Sequence, residues 1–211
     1  MKTIELFSGT KSFSKVIQSK GHSTLTIDKD KSLMPDLDMD LLDFEALYYI
    51  VDHHHEANFI WASPPCTGFS VASIGKAWNK DKTPKSETAK IGLELLNQTI
   101  KLISVISPKY WGIENPRGMM RVVIDDIFKK YGITDYRRVT ITYCQYGDTR
   151  MKPTDIWTNI PNWKGKCCKN GATCHVSAPR GSRTGTQGIK GAKDRGVIPP
   201  ALFEEILEYV K

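Results

Sequence analysis

Between residue 3 and about residue 158, short apolar runs of strand length alternate with stretches of helical period. A chain with this alternation buries both kinds of element most simply as an open, mostly parallel α/β sheet with helices on its faces. Thr3-Ile4-Glu5-Leu6-Phe7 reads as a strand. Phe13 to Lys20 then reads as a helix with Phe13, Val16 and Ile17 on one face, ended by Gly21. Ser23 to Ile27 is a second strand closing on Asp28, Leu41 to Val51 is helix-like, and Asn58 to Ala62 is a third strand. Residues 74–85 are polar, contain Gly75 and Pro84, and read as a loop. Ser86 fits the N-cap of a long helix through Ile91, Leu95, Leu102 and Ile106, with Pro108 as its stop. Tyr110 to Ile113 is a strand, Val122 to Lys130 a helix and Tyr136 to Tyr143 a strand. From 159 to 196 the pattern dissolves into Gly, Lys, Arg, Ser and Thr. A last helix follows Pro199-Pro200 through Leu202, Ile206 and Val210.

A chain of 211 residues is long enough to bury a core without disulfide staples. No apolar run approaches the roughly 20 residues of a membrane span, and the N-terminal apolar stretch is too short for a secretory signal. The expectation is therefore a cytoplasmic protein with no membrane partner. The five cysteines, an odd number, argue against a disulfide framework and toward catalysis or metal binding. The net charge of +7 lies wholly in residues 159–196, which hold eight Lys or Arg against the single acid Asp194. A local basic patch is the footprint of a polyanion, most simply nucleic acid.

Each polar cluster follows a strand, where such a sheet places its chemistry. Phe7-Ser8-Gly9-Thr10 is a small-residue turn after the first strand, which lets a ligand approach the backbone. Asp28 closes the second strand, where a carboxylate can meet a ribose hydroxyl. Pro64-Pro65-Cys66 holds a thiol on a stiff backbone, which fixes its direction of attack. Glu114-Asn115-Pro116 can bring a carboxyl to the same crevice. A nucleophilic thiol beside a carboxyl of raised pKa is a competent catalytic pair. Arg150 and Lys152 add two cations suited to an oxygen or a phosphate.

The set resembles the DNA cytosine-C5 methyltransferase family, with the pieces in that family's order over almost the whole chain. Phe7-Ser8-Gly9-Thr10 looks like its first cofactor motif, Asp28 like its ribose-binding acid and Asp40 like the aspartate near the adenine. Ser63-Pro64-Pro65-Cys66 with Ser70 is similar to its nucleophile motif, Glu114-Asn115 to its catalytic glutamate motif and Arg150-x-Lys152 to its Arg-x-Arg element. Arg195-Gly196-Val197-Ile198-Pro199-Pro200 resembles its last motif, whose helix packs back near the first. There are departures: Lys11-Ser12 replaces a Gly pair, Glu-Asn-Pro replaces Glu-Asn-Val, and Arg195-Gly196 replaces Gly-Asn.

The resemblance implies a Rossmann-like, S-adenosylmethionine-dependent methyltransferase sheet with a small loop-rich basic lobe. Residues 1–158 are the expected catalytic domain, 159–196 a short target-recognition lobe, and 197–211 a C-terminal helix packing back. The implied reaction methylates C5 of a cytosine flipped from double-stranded DNA, through a covalent bond from Cys66 to C6. Cys66, Glu114, Arg150 and Lys152 are the implied catalytic set, with Arg150 at the cytosine O2. Phe7, Ser8, Gly9, Thr10, Ser12, Asp28, Asp40 and Pro64 would hold the cofactor. Residues 74–85 would close over the DNA, with Lys76, Lys80 and Lys82 at phosphates and Ser70 nearby. The enzyme is expected to be a monomer of a bacterial or phage-infected cell.

Outside these motifs, Cys167-Cys168 and Cys174-His175 offer four soft ligands to a structural zinc. Arg180, Ser182, Arg183, Thr184 and Gln187 form a candidate DNA contact loop, since Arg reads guanine and Gln reads adenine. His53-His54-His55 reads as a solvated patch at a helix end. Two further readings stay open at this level. One is cytosine methylation of RNA; the other is a DNA-binding member of the fold without catalysis.

Overall fold

The structure is a computed structural model that describes residues 1–71, 73–176 and 191–210. Its strands are β1 (Lys2–Leu6), β2 (Ser23–Asp28), β3 (Leu37–Asp38), β4 (Phe59–Ala62), β5 (Tyr110–Pro116), β6 (Arg137–Thr142) and β7 (Pro153–Thr158). They form one sheet in the order β3-β2-β1-β4-β5-β7-β6. The pairs from β3 through β5 are parallel, and β7 runs antiparallel to both β5 and β6. The helices are α1 (Ser12–Ser19), α2 (Phe44–His54), α3 (Ile74–Ala77), α4 (Glu87–Ile106), α5 (Met120–Lys130), α6 (Ala192–Gly196) and α7 (Pro200–Leu207). The expected α/β fold is the observed one. Among the described residues, no helix is long and apolar enough to cross a membrane.

All four residues of β4 are buried, because alternate side chains enter the cores on opposite faces of the sheet. Ile60 and Ala62 join Leu96, Ile100, Ile103 and Phe128 from α4 and α5. Phe59 and Trp61 join Phe13 and Ile17 of α1 and Leu202, Phe203 and Ile206 of α7. Trp61 lies opposite Gly112 in the register. A Cβ on Gly112 would fall 2.6 Å from the Trp61 ring, so the indole takes the space of a missing side chain.

Helix α4 begins as its sequence indicates, with Ser86 Oγ accepting the Ala89 N–H at 3.2 Å. It ends at Ser107, in the left-handed region at φ 50°, just before Pro108. Ile91, placed on the apolar face by its spacing, is exposed instead. Residues 74–85 are less loop-like than expected. The apolar pair Ala77-Trp78 is buried at the end of α3, and Trp78 Nε1 donates to Gly68 O at 2.6 Å. Helix α6 lies within the segment read as irregular, and the two-residue β3 is too short to leave a periodic signal.

The sheet order reverses direction between β1 and β4, which go to opposite sides. An open parallel sheet leaves a crevice at such a point, beyond the carboxyl ends of the strands. The turn after β1 and the Pro-Pro-Cys segment after β4 both start there.

Candidate active site

The Cys66 loop is held from several sides. Ser63 N–H donates to Leu6 O at 3.3 Å, tying the loop to the end of β1. Asn115 of β5 is fully buried and donates from Nδ2 to Pro64 O at 2.9 Å. The N–H groups of Phe69 and Ser70 both donate to Cys66 O at 3.0 Å, which closes a tight turn. Two glycines make this packing possible. A Cβ on Gly68 would stand 2.7 Å from Thr88 O, and one on Gly118 would stand 2.0 Å from Phe69 O.

Cys66 is exposed at the crevice mouth, while Glu114 is buried at 5% exposure. Tyr143 donates its hydroxyl to Glu114 Oε1 at 3.0 Å, and Lys152 Nζ lies 3.4 Å from the same hydroxyl. Tyr143 occupies a single 3-10 turn, Tyr143–Tyr146, directly after β6; Lys152 directly precedes β7. Burial raises the Glu114 carboxyl above its ordinary range, against the pull of Lys152 and the Tyr143 hydrogen bond. Desolvation and then the Glu114 charge push the Cys66 thiol up, while Lys152 and Arg195 oppose them. Burial holds the Lys152 ammonium below its ordinary range, with Glu114 and Cys66 pulling it back up. The arrangement pairs an accessible thiol with a carboxyl disposed to keep its proton, beside the half-buried ammonium of Lys152. It can add a nucleophile to a ring and protonate a ring nitrogen.

Tyr143 is absent from the sequence-based set. Its signal is position alone, directly after the edge strand β6. Arg150 is in that set, yet the structure gives it another task. It is buried, and its Nε donates to Asp148 at 2.8 and 2.9 Å. Its terminal nitrogens donate to the Asp148 carboxylate and to the carbonyls of Asp194, Arg195 and Val197. These bonds engage the guanidinium on every nitrogen, so Lys152 is the cation left facing Cys66 and Glu114. Arg150 fastens the C-terminal segment beside the site.

At the first strand, Phe7 and Gly9 adopt φ of 55° and 47°, and the turn leaves Ser8 Oγ buried without a hydrogen-bond partner among the described residues. Asp28 accepts Gly9 N–H at 2.9 Å and Asp30 N–H at 3.0 Å. Asp40 accepts Leu42 N–H at 3.1 Å and faces Lys29 at 3.4 Å. Thr10 and Ser12 pair their hydroxyls at 2.8 Å, and Ser12 Oγ also accepts Ile198 N–H at 3.2 Å. Ser12 therefore joins α1 to the C-terminal segment. Glu5, read only as a strand residue, is buried and caps α1 by accepting the N–H groups of Phe13 and Ser14 at 3.1 and 2.9 Å. Burial pushes its carboxyl up to about 7.

Ser70 Oγ pairs with Ser73 Oγ at 3.0 Å, and Lys76 is exposed on α3. Arg180, Ser182, Arg183, Thr184 and Gln187 lie outside the described residues. The cysteine-histidine group forms with one change of member. Cys144, from the 3-10 turn, joins Cys168, Cys174 and His175, with all ligand atoms within 4.8 Å of one another. Cys167 is not in this group: it is exposed, and its Sγ lies against Cys168 O at 3.6 Å.

A family model described as C-5 cytosine-specific DNA methylase matches residues 1–137. The chain is 32% identical over 230 residues to a probable DNA (cytosine-5)-methyltransferase of Frog virus 3 (isolate Goorha), covering 99% of each. Among solved structures it is similar to a putative DNA modification methyltransferase encoded within an E. coli prophage, with a TM-score of 0.54 and 19% identity. That match covers 75% of this chain and 46% of the other. The S. pombe Dnmt2 methyltransferase gives a TM-score of 0.52 at 12% identity, covering 78% of this chain and 52% of the other. The chain thus spans about half the length of these solved structures and nearly all of its viral relative.

Proposed function

This chain belongs to the C-5 cytosine-specific DNA methylases, and from that premise we propose that Cys66 attacks C6 of a cytosine in DNA while Glu114 serves its N3. As a member of that family it is a DNA (cytosine-5)-methyltransferase that depends on S-adenosylmethionine. The crevice beyond β1 fits such a group. Its turn has Gly9 in the left-handed region and tied to the Asp28 carboxylate at the end of β2, and leaves the buried Ser8 hydroxyl without a partner among the described residues; Asp40 stands two residues beyond β3, the neighbour of β2 in the sheet. Phe7, Ser8, Gly9, Thr10, Asp28 and Asp40 would hold it, with Pro64 at the floor. S-adenosylmethionine bound there supplies an electrophilic methyl group.

The observation that carries the reading is the convergence of Cys66 beyond β4, Glu114 late in β5 and Lys152 just before β7: Glu114 and Lys152 both act on the Cys66 thiol, and Cys66 and Glu114 both act on the Lys152 ammonium. The Cys66 thiolate forms a bond to C6 and displaces the C5=C6 electrons into the ring. Glu114, whose affinity for a proton is raised by burial and which Tyr143 holds, passes a proton to N3 and so neutralises that ring charge. Lys152 offers a donor to the cytosine O2. Once C5 carries its new substituent, loss of the C5 proton to a base lets the electron pair return. The Cys66 thiolate then leaves, and N3 returns its proton to Glu114.

For this the cytosine leaves its stack, at a cost of a few kcal/mol. Residues 159–196, with their +7 charge, are assigned to the DNA backbone and target, residues 1–158 to catalysis, and 197–211 to the helix that closes the site from behind. One chain carries the whole constellation, which supports a monomer.

The test is mass spectrometry of nucleosides after incubating DNA or RNA with S-adenosylmethionine and either wild type or Cys66→Ala. The expected product is 5-methyldeoxycytidine with wild type alone. 5-Methylcytidine from RNA without the deoxy product would move the substrate to RNA. Absence of both, with folded protein, would end the proposal.

A further inference from the structure

Four side chains from three stretches of chain meet beside the catalytic carboxyl's partner Tyr143. Cys144 is buried in the 3-10 turn, Cys168 and His175 are half-buried, and Cys174 is exposed. Cys144 Sγ lies 3.2 Å from Cys168 Sγ and 3.7 Å from Cys174 Sγ. His175 Nδ1 lies 3.6 Å from both Cys168 Sγ and Cys174 Sγ. We propose that Cys144, Cys168, Cys174 and His175 bind one zinc ion.

The spacing suits tetrahedral coordination. Zinc–sulfur bonds of about 2.3 Å place two thiolates about 3.8 Å apart, and a thiolate and an imidazole about 3.5 Å apart. Three thiolates and one imidazole are a donor set that zinc takes as a closed structural site. Packing alone does not account for the cluster. Cys174 is exposed, so it is no apolar filler, and Gln145 Nε2 donates to its Sγ at 3.2 Å, as an outer-shell donor to a thiolate would. His175 Nε2 is buried with no hydrogen bond among the described residues, so the sulfurs are what orient this ring.

The ion would have a definite mechanical effect. Cys168 N–H donates to Thr142 Oγ1 at 2.8 Å, and Val176 N–H donates to Thr149 O at 3.0 Å. Residues 168–176 thus lie along both ends of the β6–β7 connection that carries Tyr143, Arg150 and Lys152. Zinc would lock that connection to the root of the basic segment. In sequence the last ligand stands directly before the candidate DNA contact loop. The inference stands apart from the catalytic reading, because it concerns a metal and not a product.

The experiment uses the full chain, purified under reducing conditions and desalted, with metal content measured by inductively coupled plasma mass spectrometry. One zinc per chain is expected, kept by Cys167→Ser and lost by Cys144→Ser or His175→Ala. Because the buried Cys144 variant can unfold, a second measurement uses wild type alone. Chelator-stripped protein titrated with cobalt(II) should show the intense visible bands of tetrahedral thiolate coordination, saturating at one equivalent and bleached by zinc. A metal-free protein without these bands would overturn the proposal. So would zinc loss in Cys167→Ser, or an intact mass two hydrogens short under reducing conditions, which would mark a disulfide.

Discussion

Cys66 and Glu114 oppose one another through charge. Ionised Glu114 disfavours the thiolate, and Lys152 favours both anions. A pH titration therefore separates their effects without any substrate. We expect the rate of Cys66 alkylation, followed by peptide mass spectrometry, to rise with a midpoint above the ordinary thiol range. Glu114→Gln should move that midpoint down, because a negative charge is removed. Lys152→Met should move it up, because the stabilising cation is gone. A displacement of one pH unit corresponds to about 1.4 kcal/mol. Midpoints that do not move in either variant would mean that the three groups do not share an electrostatic site.

Among the elements, α1 shows how an interior charge is used. Glu5 points from the first strand to the start of the helix and takes two of its orphan N–H groups, one on each oxygen. Its carboxyl is pushed up to about 7 by burial, from 4.5. The folded protein thus holds a proton that the unfolded chain has released across this window. The stabilisation is fully present below pH 4.5 and is lost as pH rises through about 7. Glu5→Gln accepts only one N–H, so it should lose about 1–3 kcal/mol by urea denaturation at low pH. Its stability should also fall less than that of wild type between pH 4.5 and 7. Parallel pH profiles for the two proteins would refute the assignment.

The whole molecule is closed by its last helix, at a sequence separation that no local pattern reveals. Phe203 packs edge-on against Phe13 at 5.3 Å and Trp61 at 4.9 Å, joining α7 to α1 and to a central strand. The polar side of the closure is Ile198 N–H on Ser12 Oγ, 186 positions away, with Arg150 and Lys152 on the Arg195 carbonyl. Phe203→Ala should cost about 3–5 kcal/mol in urea denaturation, the range for emptying a buried aromatic site. A loss below about 1 kcal/mol would mean that α7 is an appendage and not part of the core.

The alternation of apolar periods was enough to specify the α/β class, because period 2 and period 3.6 each dictate a buried face wherever the chain goes. The candidate thiol and carboxyl were legible for a related reason: Pro64-Pro65-Cys66 and Glu114-Asn115 are contiguous, the first just beyond β4 and the second in the last residues of β5. Other features depended on through-space partners. Arg150 and Lys152 look equivalent two residues apart, yet one is tied to Asp148 and three carbonyls while the other faces the thiol and the carboxyl. Cys144, 24 residues before Cys168, enters a cluster that chain-neighbouring Cys167 does not. Hydrogen-bond capacity is filled and soft ligands are gathered by proximity in three dimensions, and only the fold sets those distances.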